Sequence, residues 1–216
     1  MNKIVISFLL LAAMLVGCDG HIEYPDNSLA VCQILCTDGE ILPLDNYRAS
    51  GKEAIAVVFH VNYDAGIDGK GYAVYLWDLE PSAFSDTTGI AQNTSADTEA
   101  LDGNTNTYAL YSGRDASSPL AQQVVELWRY GQSAYVPSVA QMRYLKAVKS
   151  LINPVLETCG GDTLPDEADA CWYWTSTEVK GQEKEKAWLY SLKSGAIQET
   201  PKNLCQKARP IITINY

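Results

Sequence analysis

The last 45 residues, Trp172 to Tyr216, constrain the fold more than any other part of the chain. They read Trp172-Tyr173-Trp174-Thr175-Ser176-Thr177-Glu178, then a charge-alternating loop, then Ala187-Trp188-Leu189-Tyr190. A turn at Ser194-Gly195, Lys202 and finally Arg209-Pro210-Ile211 complete the stretch. Short runs rich in aromatic and β-branched residues, separated by polar or Gly/Pro turns, predict a small antiparallel meander.

The amino terminus bears on location. Met1-Asn2-Lys3 gives a charged start, and Ile4 to Val16 is an apolar run of 13 residues interrupted only by Ser7. That is too short to span a bilayer and suits the core of a signal peptide, residues 1–17. It ends in Leu15-Val16-Gly17-Cys18, which resembles a bacterial lipobox. Cys18 is then expected to carry acyl chains such as palmitate and to become the first residue of the mature protein. Asp19 to Asn27 is polar and holds a proline, so residues 18–27 read as a lipidated tether. Residues 28–216 form the one domain expected for this length. Loss of Lys3 takes the formal charge from −10 to −11. So acidic a chain is a poor partner for nucleic acid or anionic lipid surfaces.

Along the domain, Ser28 to Cys36 reads as a first strand and Ile41-Leu42 as a short second. Ala54 to Val61 is apolar on both faces, as in a strand buried between layers. Three glycines and two aspartates over 64–71 turn the chain, and Tyr72 to Trp77 returns as the hairpin partner. Residues 81–117 are rich in Pro, Ser, Thr, Asn, Asp and Gly without sustained periodicity. They read as a long loop with extended pieces at Asn104-Thr105 and Tyr108-Ala109-Leu110. Two helices follow. Ser118 caps the first, with Pro119 in its first turn, apolar residues at Leu120, Val124, Leu127 and Trp128, and Gly131 closing it. Ser138 and Gln141 have capping-box spacing for the second, whose stripe is Met142, Leu145, Val148 and Ile152 and which Asn153-Pro154 ends.

The order YWTSTE…AW…SG…K…RPI resembles the C-terminal half of bacterial C-type-lectin-like domains. It is similar to surface lipoproteins of uncharacterised function and to the retroelement-diversified variable proteins. Leu35-Cys36-Thr37-Asp38-Gly39, Ser50-Gly51-Lys52 and Val57-Val58-Phe59 resemble the opening of the same family. The resemblance implies an α+β, C-type-lectin-like fold: antiparallel sheets, two helices and paired terminal strands. It also implies framework positions at Trp174, Glu178, Trp188 and Arg209. The ligand face would be the meander, with Lys180, Gln182, Lys184, Lys186, Tyr190, Lys193, Gln198, Glu199 and Lys202 on or near it.

Five cysteines remain besides Cys18. Cys32 and Cys36, four apart on a strand, would be roughly 13 Å apart, beyond disulfide reach. Cys159 and Cys171 bracket a glycine-containing loop and could close it. Cys36 would meet Cys205 if the first and last strands ran antiparallel, leaving Cys32 free. No CxxC pair supports zinc. Of the two histidines, His21 lies in the tether and His60 in a buried-looking strand. Gly66, Gly69 and Gly71 precede no helix and cradle no phosphate. Glu183 and Glu185 read as solvated. Calcium takes six to eight oxygens, to which Asp64, Asp68, Asp162, Asp166 and Glu167 could contribute, although loop acids are more often merely solvated; no cofactor is expected.

The calcium-dependent lectins' Glu-Pro-Asn, Gln-Pro-Asp and Trp-Asn-Asp motifs are absent; Trp174-Thr175-Ser176 stands where the last would be. The formylglycine-generating oxidases of the same superfamily use two cysteines near the C-terminus, where this chain has only Cys205.

The favoured reading is a non-enzymatic, lipid-anchored binding or adhesion module of the cell envelope, recognising an extracytoplasmic protein or glycan. Its expected location is the outer membrane or surface of a Gram-negative bacterium. The alternative is a structural subunit of a surface fibre or envelope complex, and an oxidase ranks last. Cys18→Ser should leave the protein unprocessed or move it out of the membrane fraction. Mature, membrane-bound Cys18→Ser protein on fractionation would refute acylation.

Overall fold

The computed structural model describes residues 28–64, 66–67, 69–128 and 133–215. The expectations for the signal peptide, Cys18, His21, Asp68 and Gly131 lie outside these residues.

Strand β3 (Ala54–Val61) is the axis of the fold. It pairs antiparallel with β1 (Ile34–Cys36) on one side and β4 (Gly71–Tyr75) on the other. With β2 (Ile41–Leu42) and the C-terminal β10 (Ile211–Ile214) the sheet reads β10-β4-β3-β1-β2. Register places Ile34, Val57, Val74 and Ile211 in one row across four strands. All four belong to one hydrophobic cluster, with Met142, Leu145, Ile152, Leu156, Tyr173 and Tyr190. The adjacent rows, including Leu35, Ala56, Val58, Ala73 and Ile212, enter a second cluster with Leu110, Leu120, Val124, Trp174 and Leu189. Successive residues of a strand point to opposite faces, so the continuous apolar run of β3 is the mark of a sheet covered on both sides.

The first strand is shorter than the sequence predicts. Cys32 adopts a left-handed φ of 73°, and the chain turns at Val31-Cys32 before β1 begins at Ile34. The terminal strands are not paired: β1 and β10 share a sheet, but β3 and β4 lie between them.

Among the described residues there are five helices, not two. Helix α1 (Leu44–Ser50) ends at Gly51, whose φ is 65°. The reading of residues 81–117 as a loop fails at α2 (Gly103–Ser112). Its buried positions, Gly103, Asn106, Thr107 and Leu110, have helical spacing but are mostly small or polar. A search for apolar periodicity therefore passes over them. These polar side chains are satisfied: Asn106 Oδ1 accepts from Ser95 N at 2.8 Å, and Thr107 Oγ1 accepts from Val136 N at 2.9 Å.

Helix α3 (Pro119–Trp128) has the expected cap, Ser118 Oγ accepting from Ala121 N at 3.1 Å. Helix α4 (Val139–Ala147) opens with the expected capping box of Ser138 and Gln141. The chain breaks at Val148 and resumes as α5 (Lys149–Thr158), which runs through Pro154 where the sequence suggests an end. Proline there removes one backbone bond. Burial of Ile152, Val155 and Leu156 on both sides of it offsets the loss.

The predicted meander is present as β6 (Trp172–Glu178), β7 (Lys186–Ser191) and β8 (Ile197–Pro201), in that order and antiparallel. A two-stranded ribbon of β5 (Ser82–Ala83) and β9 (Cys205–Gln206) ties it to the middle of the chain.

Gly103 explains why α2 sits where it does. A Cβ there would collide with Gln141 Oε1 and lie 2.7 Å from Val136 O and 2.9 Å from Ser138 N. The last two are backbone atoms held by the α4 cap and cannot swing aside. Gly103→Ala should therefore destabilise the protein by about 1–3 kcal/mol, the usual cost of overpacking, as read from urea unfolding. A neutral result would mean that α2 docks elsewhere.

Candidate functional site

The meander is where the sequence places the ligand face, and two buried polar networks lie behind it. The first centres on Glu178 at the end of β6, which is fully buried. Its Oε1 accepts from Lys202 Nζ at 2.5 Å and from Gln92 N at 2.9 Å. Its Oε2 accepts from Thr94 N at 3.1 Å and Thr94 Oγ1 at 2.9 Å. Lys202, also fully buried, donates in addition to Ile90 O at 3.0 Å and Glu183 O at 2.7 Å. All three ammonium donors thus have acceptors. The ring of Phe84, 5.5 Å away, closes another side. The pair fastens the 85–95 segment to the meander.

The second network centres on Arg209, just before β10. Its Nε donates to Asp78 Oδ1 at 2.5 Å, Nη1 to Tyr75 O and Leu76 O, and Nη2 to Asp162 O. Asp78 Oδ2 also accepts from Lys207 Nζ at 2.9 Å and Tyr173 OH at 3.1 Å. Burial, reinforced by the Asp78 charge, pushes the Tyr173 phenol well above its ordinary value, so it stays protonated and donates. Lys202 and Arg209 each meet an anion and backbone carbonyls, and Lys207 meets Asp78 and the Tyr173 hydroxyl. Both networks join segments distant in sequence.

The sequence-derived framework positions Trp174, Glu178 and Arg209 are all fully buried. Trp174 Nε1 donates to Ser82 O at 3.0 Å, and its ring meets Phe84 edge-on. Trp188 is half-buried, its indole nitrogen without a hydrogen-bond partner.

The proposed ligand face divides. Lys180, Lys184, Lys193 and Gln198 are exposed. Gln182 and Lys186 both donate to Glu199 Oε2, each at 3.0 Å, forming one surface cluster. Tyr190 and Lys202 require correction. Tyr190 is 2% exposed and packs in the first hydrophobic cluster, because its register opposite Tyr173 turns it towards the helices. Lys202 points inward as the counter-ion of Glu178. Asp78, Gln92 and Thr94, which complete the networks, give no sequence signal, since each lies dozens of residues from its partner.

The five described cysteines are unbonded thiols. The geometry argues against Cys36–Cys205: Cys205 is exposed opposite Ala83 in the β5–β9 ribbon, whereas Cys36 is buried in the main sheet. Cys159 packs against the cluster that contains Cys36, and burial pushes its thiol up to about 11. Cys171 Sγ lies 3.3 Å from Ser191 Oγ and 3.4 Å from Ala168 O. His60 is stacked on Tyr144 at 4.0 Å, and burial lowers its pKa. Among the described residues no group of three or more His, Cys, Asp or Glu side chains could hold a metal ion.

Mixed α+β architecture with antiparallel sheets defines the class. No family model matches the sequence, and no curated protein matches it at a significant level. The fold is similar to part of a solved fimbrial protein from Bacteroides ovatus, with a TM-score of 0.65 and 16% identity. The match covers 86% of this chain and 49% of that one, so this chain spans about half the length of its structural neighbour.

Lys202 gives the sharpest test of the facing of these strands. Lys202→Met leaves Glu178 buried and unpaired, which should cost about 3–5 kcal/mol. Adding Glu178→Leu should recover part of that loss, whereas Lys193→Ala should stay within about 0.5 kcal/mol. Urea unfolding of the three variants checks it; a neutral Lys202→Met would return this lysine to the surface.

Proposed function

We propose that this chain is a lipid-anchored, surface-displayed structural subunit of a fibre or envelope complex, without catalytic activity. The observation that carries the reading is the fold shared with half of a fimbrial protein over 86% of this chain. The reading includes attachment of Cys18 to the outer membrane, and the C-type-lectin-like resemblance of the C-terminal stretch.

The internal chemistry supports a scaffold. Glu178, Lys202 and Arg209 are fully buried, and Asp78 and Tyr173 are tied to them or to each other. These groups hold the meander in place and are engaged with one another and with backbone carbonyls. The adhesion reading through the meander loses two of its nine residues, Tyr190 and Lys202, to the interior. What stays outside is a solvated set of lysines and glutamines around Glu199.

The test is chemical cross-linking of intact cells of the source organism carrying a tagged full-length chain, followed by shearing of surface material. The expected result is a cross-linked product with one partner, or copies of the chain itself, in fixed stoichiometry. Recovery of the chain solely as an uncross-linked monomer would overturn the subunit reading.

A further inference from the structure

A polar hollow of about 270 Å³ lies away from the meander, between the start of α2 and the edge formed by β4 and β10. Its walls come from four separate parts of the chain: Asp102, Asn104 and Thr105 on one side, Thr213 and Asn215 on another, and Tyr72 and Tyr135 behind. Gly69 forms part of the rim at a φ of 79°, and a side chain there would collide with Thr213. The opening therefore depends on glycine at that position.

The floor of the hollow is ordered from inside the protein. Gln141 Oε1 accepts from Ser138 N at 3.0 Å, which fixes the amide so that Nε2 donates to Tyr135 OH at 3.1 Å. Tyr135 is 1% exposed, and its hydroxyl lies 2.7 Å from Thr213 Oγ1. Either oxygen can donate in the contact between Tyr135 and Thr213. In both senses the Thr213 oxygen keeps a lone pair for a ligand in the hollow. Asn104 and Thr105 add exposed amide and hydroxyl groups at the mouth.

The lining selects the ligand by elimination. It contains one carboxylate, Asp102, and no lysine, arginine or histidine, so an anion finds no counter-charge. One carboxylate is too few for calcium, which takes six to eight oxygen ligands. An apolar ligand would leave the polar wall unpaired, at a cost for each buried group. A neutral polyol meets both donors and acceptors. The volume is just below the usual range for small-molecule sites, about 300–1,000 Å³, which suits a single ring. Beyond the mouth, Tyr108 is 61% exposed and Tyr111 48%. They follow Asn104 at i+4 and i+7 and so lie on the same helix face. Their rings offer an amphipathic platform next to the hollow.

The geometry points to a binding site for one neutral pyranose ring in this hollow, with Tyr108 placed to stack on an adjoining sugar of the same glycan. The site lies outside the meander and goes beyond the subunit reading: a fibre or envelope subunit bearing it would hold glycan as well as protein.

The test is saturation-transfer difference NMR on the detergent-solubilised full-length chain. The probes are the methyl α- and β-pyranosides of glucose, galactose, mannose and N-acetylglucosamine. At least one should receive saturation. Thr213→Val and Asn104→Ala should each weaken it about tenfold, as expected for one hydrogen bond lost. Thr213→Val removes a partner of the buried Tyr135 hydroxyl and should lower thermal stability, so the exposed Asn104→Ala, with unchanged thermal unfolding, separates loss of binding from loss of fold. Lys193→Ala, on the meander, should bind as the wild type does. Absence of transfer to every pyranoside, or undiminished transfer in both hollow variants, overturns the site. Either outcome leaves the subunit reading standing, because that is read from cross-linking.

Discussion

The buried pair of Lys202 and Glu178 holds the two halves of this protein in register. A charge with no exposed surface is tolerable only when its hydrogen-bonding capacity is filled, since desolvating an ion costs several kcal/mol. Here the requirement extends outward. Glu178 needs the backbone of Gln92 and Thr94, and Lys202 needs the carbonyls of Ile90 and Glu183. An irregular segment in the middle of the chain is thus given one conformation by a strand some 84 residues further on. Arg209 does the same for the opposite side, gathering Tyr75, Leu76, Asp78 and Asp162.

These ionic clasps frame a sheet that is apolar on both faces. The rows through Val57 and through Ala56 belong to different clusters, one under α4 and α5 and the other under α2 and α3. The meander contributes to both, with Tyr173 and Tyr190 in the first and Trp174 and Leu189 in the second. Its strands are therefore part of the core and not an appended surface. That explains why a face predicted to be exposed is only partly so.

The distribution of charge has a consequence for function. Buried basic groups are neutralised internally, and exposed ones on the meander are diluted by neighbouring acids such as Glu199. The hollow beside α2 is different in kind: uncharged except for Asp102, lined by amides and hydroxyls, and backed by a hydrogen-bonded chain from Ser138 to Thr213. The ionic networks behind the meander and the hollow beside α2 use different residues, so neither constrains the other.

Much of this was legible in the sequence. A continuous apolar run located β3, its hairpin partner β4 followed, and short aromatic and β-branched runs between turns located the first two meander strands. Local chemistry located the Ser118 cap and the Ser138–Gln141 box, whose partners lie within three residues. Trp174, Glu178 and Arg209 could be assigned to the interior on the family resemblance. Only the tertiary structure decided the rest. Helix α2 turns a polar stripe inward, so its burial depends on partners such as Ser95 and Val136. Residues Tyr190 and Lys202 face inward because of a strand register and a distant carboxylate. The first and last strands are kept apart by β3 and β4, which no local pattern encodes. Sequence carries information about neighbours within a turn or a pleat; where a buried polar group finds its partner is settled by long-range packing.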